Sequence, residues 1–513
     1  MKVDVVYNKS SQRMDEILDG KVDCVLTSPP YYGLRDYGED VREIWGGDRG
    51  CKHEFNSYVR PAGGGHANPD RAQVGTTKKD VQRVFGAKAA FCQKCGAWFG
   101  QLGLEPTFQL YLDHMMIVCA EVKRVLKKTG SFWLNMGDTY GGSQAGHGDT
   151  GLVQNFRRMD KGYLYDTKKP QRKIMPKCLL GIPSRLRNRL VDEQGWICRN
   201  TVIWYKKNSM PSSVSDRLSN SYEFLFNFVK NIKPQYCWND KTGLMADRKP
   251  PKTQEKEDVD WEWRKCPRCE GTRKYENKTC SRCRGLGKIR HSFWHNLGYW
   301  YDLDAIREPY TQSSVERAKY PVNAYAPKGT GGAKLSKTAY SEYTNVELDP
   351  GGKNPGDVWM IATQSRPEAH FATFPNELCI KPILATCPAE ICKKCGKARV
   401  RIVENKPIFR AGKKERERNR GGRKDGFTKP ADGIAGAEHT TIGWSDCGCN
   451  AGWDSGILLD PFAGRGTSLI MAKKLGRHYV GYELSRKYCE KLIKPALQEI
   501  DPLFHYKEGT HLI

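Results

Sequence analysis

The sequence predicts an α/β fold, and three observations carry that expectation. The N-terminal stretch alternates strand-like and helix-like pieces: VDVVY, then DEILDG, then 22-VDCVLTSPP-30. A helical segment at 107–130 leads into 131-SFWLNMGDTY-140, which reads as a buried strand running into a loop. Near the C-terminus, 457-ILLDPFAGRGTSLIMAKKLGRHYVGYELS-485 reads as strand, glycine-rich turn, helix and strand.

The elements follow in order. In 107-TFQLYLDHMMIVCAEVKRVLKKTG-130 apolar residues recur at helical spacing, and the basic residues and Gly130 sit where a helix C-terminus is expected. The stretches 197-ICRNTVIWYKK-207 and 222-YEFLFNFVK-230 read as a strand pair. Three stretches read as insertions: the loop around Gly63–Gly65, residues 141–176, and residues 404–440 with KKERERNRGGRK. The last is expected to be a solvated loop, with contact to DNA phosphates as a second use. Residues 231–356, with two Cys-x-x-Cys pairs, WEW and GTGGAKLSK, read as a separate module. No fixed-period repeat occurs.

The chain has 513 residues, enough for two or three domains. It has no apolar run of membrane-spanning length, and its first twenty residues lack the apolar core of a signal peptide. A cytoplasmic protein without a membrane partner is expected. The formal net charge of +26 attracts polyanions. Nucleic acid is the expected partner, because no strongly basic amphipathic helix favours a lipid surface. Nineteen cysteines in a reducing compartment are not expected to form disulfides.

In the C-terminal stretch, Gly464 and Gly466 let the backbone approach a ligand closely. The following helix offers unpaired N–H groups. Glu483, at the tip of the next strand, can accept from ribose hydroxyls. On residues alone such a turn fits NAD, or no ligand, equally well. In 27-TSPPYYGLRDYG-38, two prolines follow a buried strand, which is either a rigid loop or a built site.

DPFAGRGT resembles the S-adenosylmethionine loop of the amino-group DNA methyltransferases, with Arg465 where serine is usual. SPPY resembles the catalytic motif of the same N4-cytosine and N6-adenine enzymes. The resemblance covers most of the chain outside 231–356 and the long loops. It implies that Asp460, Pro461, Phe462, Ala463, Gly464, Gly466, Thr467 and Glu483 bind the cofactor. It also puts His370, Phe371, Phe374 and Pro375 on the cofactor side, although core packing suits the two phenylalanines nearly as well.

The implied catalytic set is Ser28, Pro29, Pro30 and Tyr31. An exocyclic amino group is a poor nucleophile because its lone pair is delocalised into the ring. Hydrogen bonds from it to the Ser28 side chain and the Pro29 carbonyl localise and aim that pair. The prolines fix the carbonyl, and Tyr31 is expected to stack on a base flipped out of double-stranded DNA.

The motif order resembles the family's β arrangement: a permuted Rossmann-like sheet with an inserted zinc-containing target-recognition module. The expected parts are 1–230, the catalytic half; 231–356, the recognition module; and 357–513, the cofactor half.

Cys266, Cys269, Cys280 and Cys283 have the C-x2-C-x10-C-x2-C spacing of tetrahedral zinc and resemble the cysteine-rich modules of J-domain chaperones. Cys392, Cys395, Cys447 and Cys449 flank the basic loop, and Cys51, His53, Cys92 and Cys95 flank another. Up to three structural zinc ions are expected, with no open position for hydrolysis. Cysteines 24, 119, 178, 198, 237, 379, 387 and 489 are expected to be buried free thiols.

The expected activity is methyl transfer from S-adenosylmethionine to DNA, with cytosine N4 favoured and adenine N6 as the alternative. A non-catalytic DNA-binding protein on the same scaffold, or an RNA or protein amide methyltransferase, remains open. The sequence shows no convincing nuclease signature; the chain is expected to act beside a separate restriction enzyme or to stand alone as a protective or epigenetic mark.

Overall fold

The computed structural model describes residues 1–55, 90–141, 177–209, 214–266, 268–269, 271–275, 278–313, 352–364, 374–409 and 434–500. The chain divides into two compact units. The first comprises 1–232, 357–389 and 455–513; the second comprises 233–356 and 390–454. Residues 390–454, which were expected in the cofactor half, belong with the second unit.

The first unit is built on an eight-stranded mixed sheet. In chain order its elements are β1 (Val5–Tyr7), β2 (Val22–Thr27), α1 (Phe108–Val125), β3 (Leu126–Met136), α2 (Ile182–Asp192), β4 (Ile197–Lys206), β5 (Tyr222–Val229), β6 (Val358–Ile361), α3 (Asn376–Thr386), β7 (Ile457–Asp460), α4 (Thr467–Lys474) and β8 (His478–Tyr482). The strand order is β1-β8-β7-β2-β3-β5-β4-β6. Every neighbouring pair is parallel except the two pairs made by β5. The central strands are buried on both faces, which is why VDCVLT and ILLD are mostly apolar without alternation; the buried Asp23 is paired with Lys127 at 2.7 Å.

Helix α1 begins at Thr107, whose Oγ1 accepts from the Leu110 N–H at 3.2 Å. Its Tyr111, Met115, Val118 and Val122 are almost fully buried in the core with Phe132, Phe226 and Phe228. Each such side chain contributes about 1.5–3 kcal/mol relative to exposure. The helix stops at Val125, not at Gly130 as expected, because Leu126 is extended and pairs with Val22 in β2. Gly130 therefore lies inside a strand. A Cβ there would fall 2.7 Å from the Asp23 carbonyl, so this glycine serves close packing and not capping.

The charged stretch expected as a loop from 404 begins as structure. Arg401–Phe409 and Ile434–Trp444 form an antiparallel ribbon in the second unit. The segments around Gly63–Gly65, 142–176 and 410–433 lie outside the described residues. Of the scattered cysteines, six are buried as expected. Cys178 is exposed and Cys198 half-buried, since Cys178 lies in a surface connection and Cys198 on a partly open strand. Among the described residues, no helix is long and apolar enough to cross a membrane.

Candidate active site

Strands β2 and β7 are parallel neighbours, with Cys24 beside Leu458 and Val25 beside Leu459. Both therefore end at the same edge of the sheet, and Thr27 Oγ1 donates to Asp460 Oδ1 at 2.5 Å. Asp460 is completely buried. Its carboxylate also accepts from the Phe462 N–H at 3.0 Å and from the Ser468 hydroxyl. Burial pushes its pKa up to about 6 even though these bonds favour the ionised form. Asp460 anchors the two turns from behind and does not line the open space between them.

The glycine turn follows β7. Gly464 and Gly466 have φ of 54° and 78°, the left-handed region that glycine tolerates. Glu483, at the end of β8, accepts from the Gly464 N–H through Oε2 and from the Ser485 N–H through Oε1, each at 2.8 Å. Burial raises its pKa to about 7. The turn is thus folded around a carboxylate that faces the cleft.

The proline turn follows β2. Pro29 is buried, and the Pro30 carbonyl accepts from the Tyr111 hydroxyl at 2.9 Å. Among the described residues nothing donates to the Pro29 carbonyl. Ser28 Oγ donates to the Tyr31 hydroxyl at 3.2 Å, which leaves the serine lone pairs for other donors. Tyr31 in turn donates to Glu223 Oε2 at 2.6 Å. Its ring packs so closely on Gly137 that a Cβ there would lie 2.7 Å from Cε2.

One cleft of about 760 Å³, its open mouth included, joins the two turns. Ser28 and Pro30 line it from one turn, and Pro461, Phe462, Gly464 and Glu483 from the other side. Pro29, Tyr31, Asp460, Ala463, Gly466 and Thr467 are not among its lining residues. Phe374 is half-buried and Pro375 buried just ahead of α3, and neither lines the cleft. His370 and Phe371 lie outside the described residues.

The rest of the wall was not read from the sequence. It includes Lys9 and Ser11 after β1, then Tyr37, Glu43, Trp45 and Gln101. The one available signal was that β1, read as a strand, ends in 7-YNKSS-11 at the carboxyl edge of a parallel sheet. Trp45 is fixed by stacking on His114, which is also stacked on Trp98 and bonded to Glu105 at 2.9 Å. Burial raises the Glu43 pKa to about 7.

Each of the three cysteine sets brings its ligand atoms within 4.8 Å of one another. Cys51 Sγ lies 3.8 Å from Cys92 Sγ, Cys266 3.9 Å from Cys280, and Cys269 3.5 Å from Cys283. Zinc–sulfur bonds of about 2.3 Å in a tetrahedron place sulfurs about 3.8 Å apart. The pairs are too far apart for disulfides, and all nineteen cysteines are free. The Gly287 N–H donates to Cys283 Sγ at 3.3 Å, the kind of backbone bond that steadies a thiolate ligand. The donor sets therefore fit zinc. The set at 51–95 belongs to the first unit, and the other two to the second.

A DNA methylase family model matches residues 22–390 and 451–494. The type II methyltransferase M.XycI of Xanthomonas campestris pv. cyanopsidis is 33% identical over 221 residues, 43% of this chain and 51% of that protein. M.Cfr9I of Citrobacter freundii is 31% identical over 219 residues, 43% and 51% of the two chains. M.SfiI of Streptomyces fimbriatus is 27% identical over 333 residues, 56% and 71%. The matches to the first two span about half of those relatives' length. Among solved structures, the PvuII DNA methyltransferase (cytosine-N4-specific) is 11% identical and covers 98% of this chain and 88% of its own. Its TM-score of 0.38 is too low to carry a functional inference. The family match takes in both the proline turn and the glycine turn, and the chain belongs to the DNA methylase family of N6/N4 type.

Proposed function

We propose that the chain is a site-specific DNA methyltransferase that moves a methyl group from S-adenosylmethionine to the exocyclic amino group of a base turned out of duplex DNA. The observation that carries this reading is the cleft shared by Ser28 and Pro30 of the proline turn with Gly464 and Glu483 of the glycine turn. S-adenosylmethionine supplies an electrophilic methyl on a cationic sulfur. Glu43 and Glu483 give the cleft two acids that complement that charge, and Glu483 is placed to take ribose hydroxyls. Ser28 Oγ accepts from the amino group and turns its lone pair toward the methyl carbon; Pro29 does not line the cleft, and its carbonyl is the second acceptor that the motif implies. Asp460, Ala463, Gly466 and Thr467 shape the cofactor turn without facing the cleft.

Strands β8 and β7, from the C-terminal part, lie between β1 and β2 of the N-terminal part. That order supports the permuted Rossmann-like arrangement. The second unit is assigned to target recognition. In it Trp261–Lys265 pairs with Lys288–Ser292, and Arg290 and Lys288 lie over Trp261 and Trp263 at 4.2 and 4.4 Å. From Trp261 to Ser292 ten Lys/Arg face three Glu in composition, which suits a phosphate backbone. The three cysteine sets hold structural zinc. A separate restriction endonuclease would be the functional partner, in the cytoplasm.

Cytosine N4 is favoured over adenine N6 because serine leads the proline motif, as the family resemblance implies. Incubating the protein with labelled S-adenosylmethionine and genomic DNA, then digesting to nucleosides, tests the reading. Labelled N4-methylcytosine is expected. N6-methyladenine would reassign the base. Cofactor binding without any labelled nucleoside would favour the non-catalytic DNA-binding alternative.

A further inference from the structure

Glu223 lies at the start of β5, and nothing in the motif chemistry uses it. Its carboxylate is only 13% exposed. Oε1 pairs with Lys206 of β4 at 2.5 Å, and Oε2 accepts from the Tyr31 hydroxyl at 2.6 Å. Tyr31 also lies 3.2 Å from Asn135 Oδ1, but the phenol has one proton and the shorter contact takes it. The Asn135 amide is oriented by its own bond to the Phe224 carbonyl, at 3.1 Å. With its proton pointed at Glu223, Tyr31 can only accept from Ser28, and Ser28 donates to it at 3.2 Å. The result is a directed chain from the cleft into the sheet: Ser28, Tyr31, Glu223, with Lys206 balancing the charge at its end.

We propose that this chain is the proton exit of the methyl transfer, and that Glu223 is its terminal acceptor and a positioning residue for Ser28. The proposal rests on the methyltransferase reading. When the amino nitrogen bonds the methyl carbon and the carbon–sulfur bond breaks, the nitrogen holds one proton too many. That proton passes to Ser28 Oγ as the serine proton passes to Tyr31, and the tyrosine proton passes to Glu223 Oε2. The sulfonium becomes a neutral thioether, the amine loses its positive charge and the carboxylate becomes a carboxylic acid, so charge and protons balance. Tyr31 never becomes a phenolate, which its burial beside Glu223 strongly disfavours. Before transfer, the same chain holds the Ser28 lone pairs toward the incoming amino group.

The test is single-turnover methylation of DNA by the full chain, with S-adenosylmethionine and DNA affinities measured separately. Glu223→Gln is expected to slow the methylation step by roughly 100-fold, with both affinities unchanged. Glu223→Asp should recover part of the rate, because it restores the charge. Tyr31→Phe removes the hydroxyl but keeps the ring, and should lose as much as Glu223→Gln. The double variant should be no slower than either single variant, as for residues acting in series. Glu223→Gln or Tyr31→Phe at a rate within about threefold of wild type overturns the proposal, as does a double variant whose losses multiply. Loss confined to cofactor or DNA affinity also overturns it. Wild-type protein that methylates no DNA overturns the methyltransferase reading itself, which is a distinguishable failure.

Discussion

Thr27 Oγ1 and Asp460 Oδ1 are 2.5 Å apart across 433 residues of sequence. Each residue ends a strand immediately before a turn, so this buried bond, added to the parallel pairing of the two strands, ties together the ends from which the proline turn and the glycine turn depart. Asp460→Ala would strand three donors: Thr27, Ser468 and the Phe462 N–H. It should cost about 3 kcal/mol in urea unfolding and abolish cofactor binding. Thr27→Val removes one donor of three and should cost only about 1 kcal/mol.

Glu483 provides a pH signature. Its pKa is raised from 4.5 to about 7 by burial. Through that window the folded chain keeps a proton that the unfolded chain has lost, so this group's contribution to stability falls as pH rises. Relative to Glu483→Gln, the cofactor-free wild type should lose up to about 3 kcal/mol between about pH 4.5 and 7. Urea unfolding of both proteins across that range measures it; parallel curves would contradict the assignment. S-adenosylmethionine affinity in the wild type should rise over the same range, because binding favours the ionised carboxylate.

Gly466 offers a backbone test. It has φ of 78°, and a Cβ would come within 2.9 Å of Ile493 Cγ2. Gly466→Ala should cost about 1–3 kcal/mol from strain alone and weaken cofactor binding, read by calorimetry.

The legibility of these features from sequence follows their range. DPFAGRGT was readable because a strand, turn and helix are consecutive in sequence, and TSPPYY because two prolines interrupt an apolar run. The Thr27–Asp460 bond was not readable, since nothing local in a buried threonine names a partner 433 residues away. Glu223 was hidden for a related reason: in YEFLFNFV it looks like the polar start of an ordinary strand. Its meaning comes from Lys206 on the next strand and Tyr31 on a distant turn. Helix α1 ends early because pairing of Leu126 with Val22 overrides the helical pattern of LKKTG. The cysteine sets show the reverse. The twelve side chains grouped by spacing lie, set by set, within 4.8 Å of one another, because each set is built from two short-range pairs that a loop brings together.

Metal content is directly measurable. Purified protein should carry about three zinc ions per chain, released by thiol modification. Cys280→Ser should lower the content by about one ion and expose the 261–292 segment to protease, with the first unit's cofactor binding retained. Metal-free protein that is equally protease-resistant would contradict the zinc assignment.

Lys288 lies over Trp263, which is 39% exposed. If this face meets DNA phosphates, Lys288→Gln should weaken binding severalfold. It should also reduce the slope of log affinity against log salt by about one, without changing the melting temperature. An unchanged slope would remove this face from the DNA interface.

The position of bound S-adenosylmethionine in a crystal of the full chain tests the central relationship most directly. The methyl carbon is expected in the cleft between Gly464 and Ser28, pointing toward Ser28 Oγ, with room for an amino nitrogen at about 3–3.5 Å from the methyl. Cofactor bound elsewhere, or with its methyl turned away from the proline turn, would contradict the shared active site.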